Sequence, residues 1–166
     1  MSDLDQLRRE WYLTIDGDGG RCPCCDRWGK IYSHRLNGSM AAALRWLCEQ
    51  SPDGEWINMP ENGPRWALRG YQFATLEKWG LLERNSLSKK EVEENDVKHS
   101  GFWRPTEDGR KFDAGLLSVP KIAFIYNNTV LRFSEQLVSF NDCLGKKFSY
   151  LATIGAKLPD DEEEDE

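Results

Sequence analysis

The sequence predicts an α+β fold that mixes helices with short strand pairs. Three observations lead to this prediction. Apolar side chains recur at helical spacing over residues 40–50, two apolar runs flank the turn dipeptide Asn127-Asn128, and clusters of glycine and proline separate the predicted elements. At 166 residues the chain can bury one sizeable core, so we expect one main domain.

The N-terminal part, residues 1–36, is predicted to combine a helix with a Cys-rich knuckle. Leu4, Leu7 and Trp11 fall on one face of a helix over residues 1–15. The glycines within residues 16–20 end this helix. A tight turn is predicted over residues 21–30, and a strand follows over residues 31–35.

A central domain is predicted over residues 37–118. Its clearest helix covers residues 40–50, with Asn37 or Ser39 as the N-cap. Residues 56–59 are predicted to be extended. Residues 60–64 contain two prolines and are predicted to form a loop.

A second helix, a hairpin and the start of a third helix are predicted between residues 70 and 112. Phe73, Leu76 and Trp79 recur at three-residue steps until Gly80 ends the helix. Strands are predicted from residue 81 and over residues 101–105, on either side of a polar stretch. Thr106 is followed by two acidic residues, which is typical of a helix N-cap.

This run resembles the wing region of winged helix-turn-helix proteins of the MarR and PadR type. In those proteins a Leu-x-x-x-Gly-Leu-(Ile/Leu)-x-Arg segment, here residues 76–84, precedes a hairpin. A Thr-x-x-Gly helix start, here residues 106–109, follows the hairpin. The resemblance covers about a quarter of the chain. It implies a winged-helix core over residues 37–118 that binds double-stranded DNA.

The resemblance also implies a recognition helix with a polar, DNA-contacting face. Side chains three residues apart form this face, and their types can bond phosphates and base edges. The alternative is an ordinary amphipathic helix with a polar outer face. Wing lysines and one arginine after the wing would add phosphate contacts. The predicted DNA contacts are Arg69, Gln72, Thr75, Lys78, Lys89, Lys90, Lys98 and Arg104.

The Cys-Pro-Cys-Cys segment at residues 22–25 contains a Cys-x-x-Cys pair, which in a tight turn presents two thiolates to one tetrahedral Zn²⁺. It is similar to half of a zinc ribbon, although Asp26 stands where glycine is common and no second such pair follows. Two alternatives are a turn that has lost its metal and a homodimer in which each protomer gives two cysteines. A disulfide oxidoreductase would place the pair between a strand and a helix, which this context does not match. The predicted ligands of a structural zinc are Cys22, Cys25, His34 and Cys48.

Residues 119–158 are predicted to form a β-containing extension around a hairpin, in which residues 122–126 and 129–133 pair. Residues 159–166 are predicted to be a disordered acidic tail. The last seven residues are all acidic and supply seven of the 28 acidic residues, so the net charge of −6 reflects the tail rather than the body.

The sequence shows no catalytic constellation, and a non-enzymatic DNA-binding or transcription-regulatory protein is predicted. The second hypothesis is a protein-binding module that uses the same frame and the acidic tail. In style the chain is similar to small phage-encoded or mobile-element proteins that modulate host machinery. It lacks an apolar run of membrane-spanning length and a signal-like start, so no membrane partner and a cytoplasmic location are expected. Five cysteines suit a reducing compartment.

Overall fold

The computed structural model describes residues 3–86, 93–94 and 101–144 as a mixture of helices and short antiparallel strands. The chain divides into two compact units. Unit 1 comprises Met1–Arg35 and Lys121–Gln136, and unit 2 comprises Leu36–Pro120 and Leu137–Glu166. The segment assigned above to one C-terminal extension is therefore divided between the units. Within the described ranges, no helix is both long and apolar enough to cross a membrane.

The elements are numbered along the chain. The helices are α1 (Asp3–Asp16), α2 (Gly38–Gln50), α3 (Met59–Asn62), α4 (Arg65–Leu68) and α5 (Glu107–Asp113), and Arg69–Trp79 is a 3₁₀-helical segment. The strands are β1 (Gly20–Arg21), β2 (Trp28–Gly29), β3 (Tyr32–Arg35), β4 (Ile57–Asn58), β5 (Leu82–Arg84), β6 (Phe102–Pro105), β7 (Val119–Pro120), β8 (Ile122–Tyr126), β9 (Thr129–Phe133) and β10 (Leu137–Val138).

In unit 1, the β1–β2 hairpin packs closely on α1. A Cβ atom at Gly29 would lie 2.6 Å from Cζ2 of Trp11, and one at Gly20 would lie 2.7 Å from Cγ2 of Thr14. Any larger residue would therefore push the hairpin off the helix. The helix predicted over residues 1–15 is confirmed, but Leu4 and Leu7 on its apolar face are exposed.

The second sheet of unit 1 has the strand order β3–β8–β9. The predicted hairpin is confirmed, and Asn127 and Asn128 at its turn have φ values of 49° and 64°. Asparagine tolerates this left-handed region better than most residues do. Arg132 on β9 connects the sheet to the end of α1: its Nη2 atom lies 2.9 Å from Oδ1 of Asp16, and its guanidinium lies 4.2 Å from the Phe124 ring centroid.

In unit 2, α2 buries one apolar face in the core. Asn37 caps it, because the Asn37 side chain accepts a hydrogen bond from the backbone N–H of Met40 at 3.0 Å. This confirms one of the two predicted caps. The apolar side chains buried along α2 are Met40, Ala41, Ala42, Ala43, Leu44 and Leu47.

The loop predicted over residues 60–64 is wrong in its first half, where α3 forms. The Asn58 side chain caps α3 by accepting from the backbone N–H of Glu61 at 3.3 Å. Pro60 lies in the first turn, where the missing N–H group would have no partner in any helix. The helix α4 then begins after Pro64.

The three-stranded sheet of unit 2 has the order β4–β6–β5, so the predicted extended segment and the predicted wing strands form one sheet. Thr106 caps α5 by accepting from the backbone N–H of Gly109 at 3.0 Å, as its sequence context predicts. A Cβ atom at Gly109 would lie 2.0 Å from the carbonyl oxygen of Leu81. Helix α5 therefore approaches the start of β5 as closely as two backbones allow.

Candidate functional site

The segment predicted to recognise DNA is a 3₁₀ helix. Three residues per turn place side chains at i and i+3 in line. Phe73, Leu76 and Trp79 form the buried line of this segment. The four predicted contacts lie one residue earlier in each turn: Arg69 and Gln72 are exposed, and Thr75 and Lys78 are half-buried.

The segment begins with a kink. Gly70 and Tyr71 have φ values of 63° and 53°, and a tyrosine in this region is a strained exception. The Tyr71 ring is 42% exposed and lies 4.8 Å from the ring of Phe73, measured between centroids. Partial burial raises the pKa of the Tyr71 phenol above its ordinary value. Residue spacing gave no signal for Tyr71, although Gly70 before it marks a break in the helix.

Gln72 has a defined side-chain partner within unit 2. The Nδ2 atom of Asn37 donates to Oε1 of Gln72 at 2.9 Å. Because Asn37 also caps α2, the Gln72 carboxamide is held by a rigid element. Gln72 acts as the acceptor in this bond, and its side-chain amide nitrogen carries two N–H donors besides.

Arg104 lies on β6 and makes three contacts within unit 2. Its Nε atom pairs with the carboxylate of Glu83 across the β5–β6 register, and its guanidinium lies 4.1 Å from the Trp56 ring centroid. It also donates to the carbonyl of Gly54 at 3.3 Å. The fold thus engages this arginine. Lys89, Lys90 and Lys98, the wing contacts, lie outside the described residues.

The Cys loop, residues 22–27, closes the β1–β2 hairpin. The backbone N–H of Cys22 donates to the carbonyl of Arg27, and that of Asp26 donates to the carbonyl of Cys22, both at 2.8 Å. Asp26 has a φ of 59°. It takes the left-handed position for which glycine is usual, and aspartate is among the few residues that tolerate it.

The thiol of Cys22 accepts hydrogen bonds within this loop. Backbone N–H groups of Cys24 and Cys25 are directed at its sulfur and lower the pKa of Cys22 below its ordinary value. Cys22 is half-buried, whereas Cys24 and Cys25 are exposed. Thiolate is the form that ligates metals, so this geometry favours Cys22 as a ligand.

The other two predicted zinc ligands lie on other elements. His34 is exposed on β3, opposite Ala123, and Cys48 is half-buried on α2 in unit 2. Burial, and after it the charge of Asp113, raises the pKa of Cys48 to about 12. In the ranges that the structure covers, no three His, Cys, Asp or Glu side chains come together to hold a metal.

Cys22 and Cys25 also line a surface cavity of about 350 Å³, called here the aromatic cavity, which sequence reasoning missed. Two basic residues and four aromatic ones contribute to its wall, and none of its lining residues in the described part of the chain is acidic. The only sequence signal was the alternation of basic and aromatic residues from 27 to 32. The lining residues are Trp11, Cys22, Cys25, Arg27, Trp28, Gly29, Lys30, Tyr32, Tyr126 and Asn127.

Comparisons with known protein families, with curated proteins and with solved structures give no significant match to this chain.

Proposed function

We propose that the chain is a non-enzymatic DNA-binding protein of the winged-helix class with a role in transcription regulation. The observation that carries this proposal is the order of elements in unit 2. From α2 to α5 a helix, a strand, two short helices, the 3₁₀ segment and a hairpin follow one another, and β4 pairs with the returning strand β6. This order agrees with what the resemblance of residues 70–112 implies.

The exposed end of the 3₁₀ segment supports DNA as the ligand. In helix-turn-helix proteins, the first residues of the recognition helix contact base edges. Arg69 and Gln72 are exposed where α4 passes into the 3₁₀ segment. Arginine reads guanine and glutamine reads adenine in the major groove. The interface proposed here comprises Arg69, Gln72, Thr75 and Lys78 together with the wing lysines, and it leaves out Arg104.

Fluorescence anisotropy with a labelled 20-base-pair duplex tests this function at 50 and 200 mM salt. Affinity should fall with salt because binding releases counterions from the phosphates. A chain that ends at Leu158 should bind more tightly, since the acidic tail competes for the same basic side chains. Absence of duplex binding by both forms at 50 mM salt would overturn the proposal.

Side-chain variants locate the interface. Arg69→Ala with Lys78→Ala should weaken binding and reduce the slope of log K against log salt by about 1.8, since each phosphate contact contributes about 0.9. Arg8→Ala with Lys111→Ala removes two cations elsewhere, on α1 and α5. If both pairs lose affinity equally, net charge alone governs binding and the recognition segment is wrongly assigned.

We further propose that the Cys loop holds a structural zinc ion through Cys22 and Cys25. Both side chains line the aromatic cavity, and hydrogen bonds from backbone N–H groups lower the pKa of Cys22, which favours the thiolate that binds metal. Two thiolates are half of a tetrahedral set. The remaining ligands come from outside this loop, and a second copy of the chain would supply them in the homodimer alternative.

A second candidate function, protein binding, is favoured by α1. Leu4 and Leu7, which lie on one face of this helix, are 56% and 45% exposed. Clustered exposed apolar side chains are typical of interaction surfaces. Sedimentation velocity of the wild-type chain and of Leu4→Ser with Leu7→Ser tests for a homodimer through α1. A host protein as the partner would leave both chains monomeric.

A further inference from the structure

The aromatic cavity brings exposed aromatic rings and basic side chains together at one surface. Trp28 and Tyr32 are 57% and 50% exposed, although large apolar rings are normally buried. They lie together, because Nε1 of Trp28 donates to the Tyr32 hydroxyl at 3.4 Å. In the chain Arg27 directly precedes Trp28, and Lys30 lies two residues before Tyr32. Both basic residues line the same cavity.

The two basic side chains of the cavity favour an anionic ligand. The Lys30 ammonium lies 5.8 Å from the Tyr32 ring centroid, and within the described residues neither Lys30 nor Arg27 forms an ion pair with a carboxylate. A cationic ligand, such as a methylated lysine in an aromatic cage, would be repelled. A simple inorganic anion has no flat apolar surface with which to stack on the two exposed rings.

The volume of the cavity fits a small ligand. Its volume of about 350 Å³ lies near the lower end of the range of about 300–1,000 Å³ found for small-molecule pockets. One nucleotide combines a flat base that stacks on aromatic rings with a phosphate that pairs with arginine and lysine. A base inside a duplex has both faces covered by its neighbours, so only an unpaired base can stack here.

We propose that the aromatic cavity binds an unpaired nucleotide of a single-stranded nucleic acid. The base stacks on Trp28 and Tyr32, and Arg27 and Lys30 contact its phosphates. This site is distinct from the duplex interface proposed in unit 2 and does not depend on it. The thiols of Cys22 and Cys25 remain available to zinc.

Strand pairing in β2 and β3 holds the two rings of this site in place. Trp28 belongs to β2, whose next residue, Gly29, lies directly on the Trp11 ring. Tyr32 belongs to β3, where it pairs with Ile125 of β8. Both rings are therefore carried by strands rather than by a free loop, so less ordering is needed on binding.

The test is fluorescence anisotropy of a labelled eight-residue oligothymidylate with the full-length chain at 50 and 200 mM salt. Trp28→Leu and Tyr32→Leu should each weaken binding about tenfold. Arg27→Ala with Lys30→Ala should reduce the slope of log K against log salt by about 1.4, since each contact to a single strand contributes about 0.7. Trp28→Phe keeps a stacking ring and should retain most of the affinity.

Matched controls come from α1 of the same unit. Tyr12→Leu removes a ring that is 44% exposed, and Arg8→Ala removes an exposed cation, and neither residue lines the aromatic cavity. Both should leave oligothymidylate binding unchanged. Circular dichroism of each variant separates lost binding from lost folding, and Trp28→Phe provides a second test if Trp28→Leu does not fold.

Different variants test the duplex interface of unit 2 and the single-strand site of the aromatic cavity, so either proposal can be wrong without the other. Duplex binding should be insensitive to Trp28→Leu, and oligothymidylate binding should be insensitive to Arg69→Ala. If thymidine monophosphate binds as tightly as the oligothymidylate, the ligand is not a nucleic-acid strand. If unlabelled duplex competes as well as unlabelled oligothymidylate, the cavity has no preference for unpaired bases. Unchanged oligothymidylate affinity in Trp28→Leu with Tyr32→Leu, or no binding by the wild-type chain, would overturn the site itself.

Discussion

Asn37 and Gln72, which are 35 residues apart in the chain, share a side-chain hydrogen bond of 2.9 Å. The same Asn37 side chain accepts from the backbone N–H of Met40 through its other atom, Oδ1. One carboxamide therefore serves both as the N-cap of α2 and as the support of an exposed glutamine in the 3₁₀ segment.

Replacing Asn37 should separate these two roles. Asn37→Ala loses the cap and should lower the free energy of unfolding by about 1 kcal/mol. Asn37→Ser keeps a capping oxygen and should retain most of the stability, but it no longer reaches Gln72. Urea denaturation measures the first effect and duplex anisotropy the second. Equal stability losses for the two variants would show that the Gln72 contact, and not the cap, stabilises this end of α2.

Gly109→Ala should be strongly destabilising, because the new Cβ atom would lie 2.0 Å from the carbonyl oxygen of Leu81. Relieving this overlap requires α5 to shift from β5, at a cost of roughly 3 kcal/mol. Gly17→Ala is the control, since its Cβ atom would find its nearest neighbour at an ordinary 3.4 Å. Thermal denaturation of both variants checks the difference, and a stable Gly109→Ala protein would contradict the close packing.

Arg104→Ala should reduce stability without weakening duplex binding. The side chain is about one-third exposed, so its ion pair with Glu83 is partly screened by solvent. Together with the contact to Trp56 we expect a loss of about 1–2 kcal/mol. Lys78→Ala, in contrast, should lower duplex affinity, because Lys78 belongs to the proposed interface. A large loss of duplex affinity in Arg104→Ala would show that Arg104 contacts DNA and was wrongly left out of the interface.

Cys48 should make the protein sensitive to alkali. Its thiol has a folded-state pKa of about 12, raised from an ordinary value of 9.0, so the folded state holds its proton where the unfolded state has lost it. The stabilising effect of this thiol is complete below pH 9.0 and is lost progressively as the pH rises towards 12. Cys48→Ala should therefore show a flatter decline of unfolding free energy above pH 9 than the wild-type chain. Parallel curves would contradict the burial of this thiol.

Zinc content provides the test for the Cys loop. The purified wild-type chain should contain zinc, and Cys22→Ser with Cys25→Ser should contain none and should unfold at lower urea concentration. Cys24→Ser is the control, because Cys24 is an exposed cysteine of the same loop and is not one of the four predicted ligands. Inductively coupled plasma mass spectrometry gives the amount per chain. A ratio near one zinc per two chains, with dimers in sedimentation, supports the shared site, and equal zinc in the control and the double variant would rule out Cys22 and Cys25 as ligands.

Local patterns predicted the local structure of this chain well. The caps at Asn37 and Thr106 and the Asn127-Asn128 turn are confirmed, because each depends on a few neighbouring residues. The three-residue spacing of Phe73, Leu76 and Trp79 predicted a helix, and it already contained the period of a 3₁₀ helix. Over seven residues the same spacing also fits one face of an α-helix, so it could not distinguish the two kinds of helix.

Long-range features were not predictable in the same way. Strand periodicity shows which face of a strand is apolar but not which strand lies beside it, and so the pairing of β3 with β8 could not be read from residues 31–35. The aromatic cavity was unpredictable for the same reason, since its lining comes from separate segments of the chain, among them α1, the Cys loop, β2, β3 and the end of β8. His34 was chosen as a ligand by nearness in sequence, but its place on β3 is opposite Ala123.

The pairing of β3 with β8 determines the order in which the chain can fold during its synthesis. His34 leaves the ribosome well before Ala123, its partner across the sheet, has been made. At about 5–20 residues per second, the gap lasts several seconds. Over that interval β3 is an unpaired edge that can pair with another nascent chain, whereas residues 36–120 of unit 2 emerge as one continuous segment. Translation speed across this segment should therefore govern the yield of correctly paired unit 1.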